Sequence, residues 1–329
     1  MKIHPETPSS EGKISSPDPT EKSDQMENKI KPIAKEIMAT LGLTICSFSY
    51  AVLAGHLFSS SIGAGIASAV AAVFLALADI VYATKLFSRI LPPKAQRISQ
   101  WIHAQCLEVF YLLGCHCLFP LSVRNWRWNT KSENRPLLLV HGYMNYNTVW
   151  LFHAKKWKEA GLGPIYTVNL GYPFRSIEQH AQKVKKKAEQ IARETRRDDL
   201  ILVGHSMGGL VSSYYATVLA NPNTVTDVVT IGSPLQGTHL AKIGLGKCAF
   251  QMRRQSDFVD SLSQKILSSS FTRFYHIATE SDQLVIPYHS CLLGDDPNQH
   301  YTLNNIGHVA LLFSEKVNNK VVEWLRANY

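Results

Sequence analysis

An α/β fold, in which a mostly parallel β-sheet carries helices on both faces, is predicted for residues 132–329. Short apolar runs of strand length alternate there with longer segments whose apolar residues recur at helical spacing. Such alternation is typical of a parallel sheet with two covered faces. A glycine-rich turn also joins one apolar run to the helix behind it. The predicted strands are 136–140, 165–170, 200–203, 225–231, 274–278 and 301–303, and the predicted helices are 148–160, 176–197, 207–220 and 316–327.

The glycine-rich turn reads Gly-His-Ser-Met-Gly at residues 204–208. A strand, a tight turn bearing one serine and then a helix is the arrangement in which a G-x-S-x-G motif presents a nucleophile. Glycine is needed because the turn is too sharp for side chains, and a strained backbone lifts the hydroxyl of Ser206 clear of the sheet. The helix N-terminus offers N–H groups to an anionic intermediate. Ser206 is therefore the candidate nucleophile.

A serine hydroxyl needs a base to take its proton, and the base needs an orienting acid. On this kind of sheet the expected chain order is serine, acid, histidine, each just past the end of a strand. Asp282, in the turn after strand 274–278, is the first choice for the acid, with Glu280 in reserve. His308, between the last strand and the terminal helix, is the candidate base. The competing histidines are His205, His289 and His300.

Acyl transfer through a serine also requires two N–H donors for the oxyanion. One candidate is the amide of Met207, directly after Ser206. The other lies in the His-Gly-Tyr turn after strand 136–140, where Tyr143 is the preferred donor. Gly142 allows the chain to bend at that point.

The N-terminal part of the chain has a different character. Residues 1–30 are polar and charged and predict a disordered tail. Residues 37–57 and 62–86 are apolar and long enough to cross a bilayer, which predicts a membrane hairpin within residues 31–97. Positive charge on its flanks predicts that both ends and the following domain are cytoplasmic. A helical hairpin buried in a soluble protein is the alternative.

Two further segments each allow two interpretations. Residues 98–131 are predicted to connect the hairpin to the α/β domain, either as an interfacial amphipathic helix or as an ordinary helix packed on that domain. Its apolar face is predicted to include Cys106, Val109 and Leu113. Residues 240–270 form either a cap over an acyl pocket or helices that cover the sheet.

Charge and cysteine content restrict the partners. The chain has 329 residues and a formal charge of +9, but the lysines of helix 176–197 are interpreted as a solvated face, so nucleic acid is not an expected partner. Ser176 and Gln179 predict a capping box at the start of that helix. The six cysteines lack paired zinc spacing, so no metal site is predicted, and pairing of Cys248 with Cys291 stays open.

Five pieces follow one another along residues 132–329: LLLVHGY (137–143), VGHSMGGLV (203–211), VTIGSPLQGT (229–238), DQLVIP (282–287) and GH (307–308). They occur in the same order in bacterial triacylglycerol lipases, and residues 132–329 resemble that group of the α/β-hydrolase superfamily. The resemblance implies an ester hydrolase with a Ser206–His308–Asp282 triad, an acyl-enzyme on Ser206 and no cofactor. The N-terminal third has no counterpart in secreted lipases, and no acidic pair can be assigned to the calcium site of some of them.

The expected function is therefore that of a membrane-anchored, lipase-like serine ester hydrolase. Its expected substrates are acylglycerol or phospholipid esters in the bilayer, because the predicted anchor keeps the site where lipid is. The same triad serves thioesterases and acyltransferases. The alternative from another class is a protein of the hydrolase fold that binds a partner and catalyses no reaction. Protein partners cannot be derived from the sequence.

Overall fold

The computed structural model describes residues 118–128 and 134–327, together with Ala104, Glu108, Val109, Tyr111, Leu112 and Cys115. The predicted tail (1–30) and the predicted hairpin (31–97), with its two spans, lie outside the described residues. Within the described part, no helix combines the length and the apolar character that crossing a membrane requires.

The described residues form a seven-stranded sheet in the order β1-β3-β2-β4-β5-β6-β7. The pairings from β3 through β7 are parallel, whereas β1 pairs with β3 in the antiparallel direction. The parallel sheet confirms the prediction, while β1 was not predicted because two residues are too short for a periodic pattern. The strands are β1 (Arg127–Trp128), β2 (Leu137–Val140), β3 (Ile165–Val168), β4 (Leu200–His205), β5 (Val225–Ile231), β6 (Arg273–Thr279) and β7 (His300–Leu303).

Helices cover the sheet on both faces. The predicted capping box is present at the start of α2, where the side chain of Ser176 accepts from the amide of Gln179. The helix predicted over 207–220 is α-helical as far as Tyr214 and continues as a π-helix over Tyr215–Leu219. The α-helices are α1 (Leu151–Glu159), α2 (Ile177–Thr195), α3 (Met207–Tyr214), α4 (Lys247–Gln251), α5 (Asp257–Leu267) and α6 (Glu315–Arg326).

The core consists of two apolar layers, one on each side of the sheet. Alternate residues of β2 point to opposite faces, so that Leu137 and Leu139 belong to one layer and Leu138 and Val140 to the other. Helices α1 and α6 pack in the first layer, and α2, α3 and α5 pack in the second. Because both faces are buried, the central strands are apolar throughout rather than alternating.

The segment 240–270, predicted as either a cap or a sheet cover, covers the sheet with one part and lines a cavity with another. Helix α5 buries Val259, Leu262 and Ile266 in the second core layer. The 3-10 turn His239–Lys242 and helix α4 instead contribute to the wall of a cavity next to Ser206. The carboxyl ends of β2, β4, β6 and β7 lie at the same edge of the sheet, which brings the predicted site residues toward that cavity.

Candidate active site

Ser206 lies in the turn between β4 and α3, with φ of 56° and ψ of −128°. This left-handed backbone is uncommon for a residue with a Cβ atom and costs about 1–3 kcal/mol. A Cβ on Gly204 would overlap the backbone of Gly208, and a Cβ on Gly208 would overlap the carbonyl oxygen of Val140. The amide of Ser206 donates to the carbonyl of Ile231 at 2.9 Å. The neighbouring strands thus hold the strained turn, and Ser206 borders the cavity.

Asp282 and His308 meet at the same edge of the sheet. His308 Nδ1 lies 2.8 Å from Asp282 Oδ2. The other carboxylate oxygen, Oδ1, accepts the amides of Leu284 at 2.8 Å and Val285 at 2.7 Å, so the carboxylate is fixed by its own turn. His308 Nε2 is buried and has no hydrogen-bond partner in the described part of the chain. His308 and Ser206 border the same cavity.

Neighbouring charge makes His308 more basic. Burial alone would lower its pKa, but the charge of Asp282, the hydrogen bond to Asp282 and the charge of Glu108 together raise the pKa above its usual value. The backbone of His308 is also held, because its amide donates to Gln283 Oε1 at 3.1 Å. An imidazole oriented in this way can take a proton from a hydroxyl and stabilise the positive charge that results.

The residues predicted to supply the oxyanion donors lie near Ser206, Met207 next to it in the chain and Tyr143 at the cavity that it borders. Gly142 and Tyr143 border the cavity, and a Cβ on Gly142 would lie 2.8 Å from the Cβ of Ser206. The backbone after β2 therefore packs directly against the serine. Met207 is the first residue of α3, where an amide has no acceptor within the helix. The turn after β2 and the start of α3 therefore both adjoin Ser206.

His141 fixes the end of β2. Its Nε2 accepts the amide of Leu170 at 2.9 Å, which leaves the ring proton on Nδ1, 2.9 Å from the carbonyl oxygen of Gly142. Burial lowers the pKa of His141 to about 4, so this neutral tautomer is the one present near neutral pH. His141 thereby orients the turn that carries Tyr143.

The cavity beside Ser206 is largely apolar. Its wall comes from the turn after β2, from the segment 238–252, from the turn after β6 and from Leu112 of the predicted connector. An acyl chain fits such a wall better than a polar group does, because apolar surface is removed from water on both sides. The apolar side chains around it are Leu112, Met144, Leu240, Ala241, Ile243, Ala249, Met252, Leu284, Val285 and Val309.

The competing candidates lie elsewhere or have other partners. Glu280 and His289 are exposed. His300 Nε2 bonds the carbonyl of Leu293 at 2.9 Å. His205 is buried beneath His308, with ring centroids 4.7 Å apart, and its Nε2 lies 3.0 Å from the carbonyl oxygen of His308. The ring of His205 therefore packs against the ring of His308 and helps to hold it in place.

Glu108 is a buried residue of the site region that the sequence reasoning missed. Its carboxylate accepts the amides of Val309 at 2.6 Å and Ala310 at 3.0 Å. Of the apolar face predicted for this segment, Val109 is half-buried, and Cys106 and Leu113 lie outside the described residues, whereas Glu108 and Leu112 are buried. The sequence signal that could have identified Glu108 is an acidic residue that stands between apolar residues at helical spacing.

The described residues contain no group of three or more His, Cys, Asp or Glu side chains that could hold a metal ion. Cys115, Cys248 and Cys291 are free and buried, so Cys248 and Cys291 are not paired with each other.

The fold of the described residues is similar to that of known proteins. The PGAP1-like alpha/beta domain family matches residues 173–255. Lipase B of Aspergillus fumigatus is 18% identical, and the alignment covers 60% of this chain and 53% of that chain with a TM-score of 0.51. Lipase BlEst2 of Bacillus licheniformis, in its propeptide form, is 14% identical with the same coverage and TM-score. The match thus spans about half the length of each lipase. The protein has the α/β-hydrolase fold.

Proposed function

We propose that this protein is a serine carboxylic ester hydrolase that cleaves acylglycerol or phospholipid esters through an acyl-enzyme on Ser206. The observation that carries the proposal is the arrangement of His308. Its Nδ1 is bonded to Asp282, while its Nε2 is unpartnered among the described residues and belongs to the cavity that Ser206 borders. A nucleophile, a base and an orienting acid in this order are what acyl transfer through serine requires.

In the proposed reaction, Ser206 Oγ attacks the ester carbonyl carbon and His308 Nε2 takes the hydroxyl proton. The amides of Met207 and Tyr143 stabilise the oxyanion of the tetrahedral intermediate. The intermediate collapses, the alcohol leaves with the proton from His308, and the acyl group stays on Ser206. Water then attacks the acyl-enzyme with His308 as base, which releases the carboxylic acid and restores the serine.

Exposed apolar side chains near the cavity support a lipid substrate. Leu245 is 55% exposed, and its amide and carbonyl bond the hydroxyl of Tyr143 at the cavity wall. Phe250 is 58% exposed and follows the cavity-lining Ala249. Tyr172 is also exposed and packs through Phe174 toward Tyr143. Exposed apolar side chains next to the walls of an apolar pocket are typical of a surface that contacts lipid.

The location at a membrane is part of the proposal. The apolar stretches 37–57 and 62–86 would anchor the chain, and the positive flanks would leave the hydrolase domain on the cytoplasmic side. An anchor of this kind keeps the entrance of the cavity close to the bilayer. The lipid substrate would then reach Ser206 without crossing bulk water.

The experiment uses the full-length protein in bilayer vesicles that contain acylglycerols and phospholipids. Fatty acid release is compared for wild type, Ser206→Ala and the control Ser270→Ala, whose serine is exposed on a distant loop. We expect release from wild type and the control, and none above background from Ser206→Ala. The lipid that is hydrolysed in this assay identifies the substrate.

Two other results would redirect the proposal. If wild type releases no fatty acid but Ser206 reacts with a fluorophosphonate, the lipid assignment is wrong and a thioester or soluble ester is the next substrate to test. If Ser206 does not react either, the fold serves as a scaffold and the proposed chemistry is refuted.

A further inference from the structure

Glu108 reaches the candidate active site from a segment some two hundred residues earlier in the chain. Its side chain is fully buried, and each carboxylate oxygen accepts one backbone amide of the turn that follows His308: Val309 at 2.6 Å and Ala310 at 3.0 Å. A Cβ on Gly307 would lie 2.7 Å from the Cδ of Glu108. A glycine before His308 therefore allows the carboxylate to approach the turn from that side.

The surroundings of Glu108 contain several titratable groups. His308 and Asp282 act on its charge from the site, the Cys115 thiol lies on its own segment, and Gln283 presents an amide near Gly307. No lysine or arginine in the described ranges forms an ion pair with it. Burial raises the pKa of Glu108 to about 7, although the two amide bonds and the charge of His308 act in the opposite direction.

A buried carboxylate without a lysine or arginine partner among the described residues is costly. An apolar side chain of the same size would avoid that cost but would leave the amides of Val309 and Ala310 without an acceptor. The bonds of Glu108 go to the two amides directly after His308, so the carboxylate acts on the position of that turn. Leu112, one helical turn further on, borders the same cavity as Ser206.

We propose that Glu108 is a positioning residue of this site: it holds the backbone after His308 and thereby fixes the imidazole relative to Ser206. Its negative charge also favours the imidazolium that forms when Ser206 gives up its proton. The inference rests on the proposed function for its catalytic meaning. The segment before the hydrolase domain then contributes a residue to the site in addition to connecting that domain to the predicted hairpin.

The test compares wild type, Glu108→Gln and the control Glu194→Gln in the full-length protein. Glu194 pairs with Arg127 on the surface, far along α2 from the site. Kinetics are measured with a soluble p-nitrophenyl ester across pH 5–9. Glutamine has one acceptor oxygen, so Glu108→Gln can satisfy one of the two amides and opposes the other with its own N–H groups.

We expect Glu108→Gln to lower kcat about tenfold or more, with KM nearly unchanged, because one charge-assisted hydrogen bond is lost. The acidic limb of the pH profile should move to lower pH by about half a unit, since a nearby negative charge no longer supports the imidazolium. The control should match wild type. A Glu108→Gln variant with the wild-type kcat, or with a lowered kcat and an unmoved acidic limb, would overturn the inference.

Two measurements do not depend on ester turnover. The imidazole of His308 can be titrated by NMR in wild type and Glu108→Gln; equal values refute the electrostatic role even if the protein proves inactive as an esterase. Should Glu108→Gln not fold, hydrogen exchange in wild type takes its place. Opening of the turn that exposes Glu108 should release its proton between its ordinary pKa and the raised value of about 7. Protection of the Val309 and Ala310 amides should therefore strengthen as the pH falls through this window, and protection factors constant from pH 5 to 8 would overturn the inference.

Discussion

Replacement of Asp282 by asparagine tests the proposed triad through the tautomer of His308. Asp282 Oδ1 accepts the amides of Leu284 and Val285, and Oδ2 faces His308 Nδ1. In Asp282→Asn the side-chain oxygen should continue to accept the two backbone amides. A flipped amide side chain would instead place its NH₂ group against these N–H donors. The NH₂ group then faces Nδ1, which must become an acceptor.

The expected loss of activity follows from that change. With Nδ1 as acceptor, the ring proton moves to Nε2, and His308 can no longer take the proton of Ser206. The same exchange in a serine-histidine-aspartate triad lowers kcat by about 10⁴-fold while the fold is kept, which corresponds to about 5.5 kcal/mol in the barrier. The assay is hydrolysis of a soluble p-nitrophenyl ester, together with the rate of fluorophosphonate labelling.

Asp295→Asn is the matched control, since Asp295 is exposed and belongs to another turn. It should retain wild-type activity. If Asp282→Asn retains more than about a tenth of the wild-type kcat, the tautomer argument is refuted, because the activation free energies of the variant and wild type would then differ by less than about 1.4 kcal/mol. Circular dichroism and thermal melting show whether the variant keeps its fold.

The remaining predictions concern pH and packing. Because the pKa of His308 is raised and the neutral ring is the base, kcat/KM should fall as the pH decreases through a value above about 6.5, the ordinary value for histidine; a limb at or below that value contradicts the assignment. Gly142→Ala should lower kcat about 100-fold, because its Cβ would lie 2.8 Å from the Cβ of Ser206 and displace the reacting groups; wild-type kinetics would show that the turn can relax. The pKa of Glu108 is raised from 4.5 to about 7, so between these values the folded chain holds a proton that the unfolded chain releases. Its free energy of unfolding should therefore fall by about 3 kcal/mol relative to Glu108→Gln as the pH rises through this window; urea unfolding curves that stay parallel at each pH would contradict the burial argument.

The sheet could be predicted because each central strand is an uninterrupted apolar run bounded by polar turns, and each covering helix has one apolar stripe. Strand β5 was predicted with its observed bounds, since Val225–Ile231 lies between a loop rich in asparagine and the Gly-Ser-Pro turn. The π-helical continuation of α3 was not predicted. It depends on the 2.8 Å bond from the amide of Ala220 to the carbonyl of Tyr215, which spacing alone does not specify.

The site was less accessible to sequence reasoning than the sheet. Strand order explains why Ser206, Asp282 and His308 come to the same edge, but no local pattern distinguished Asp282 from Glu280. That distinction arises from the turn after β6, whose amides fix the carboxylate of Asp282 while Glu280 points to solvent. Glu108 was missed because its partners follow some two hundred residues later, where no local pattern connects them to it.

The central claim is that Ser206 is an activated nucleophile, and the most direct measurement is mass spectrometry of the full-length protein after reaction with a fluorophosphonate. We expect a single adduct on the peptide that contains Ser206, formed rapidly in wild type, slowly in Asp282→Asn and not at all in Ser206→Ala. An unmodified Ser206 in folded wild-type protein, or labelling that is equally fast in Asp282→Asn, would contradict the account.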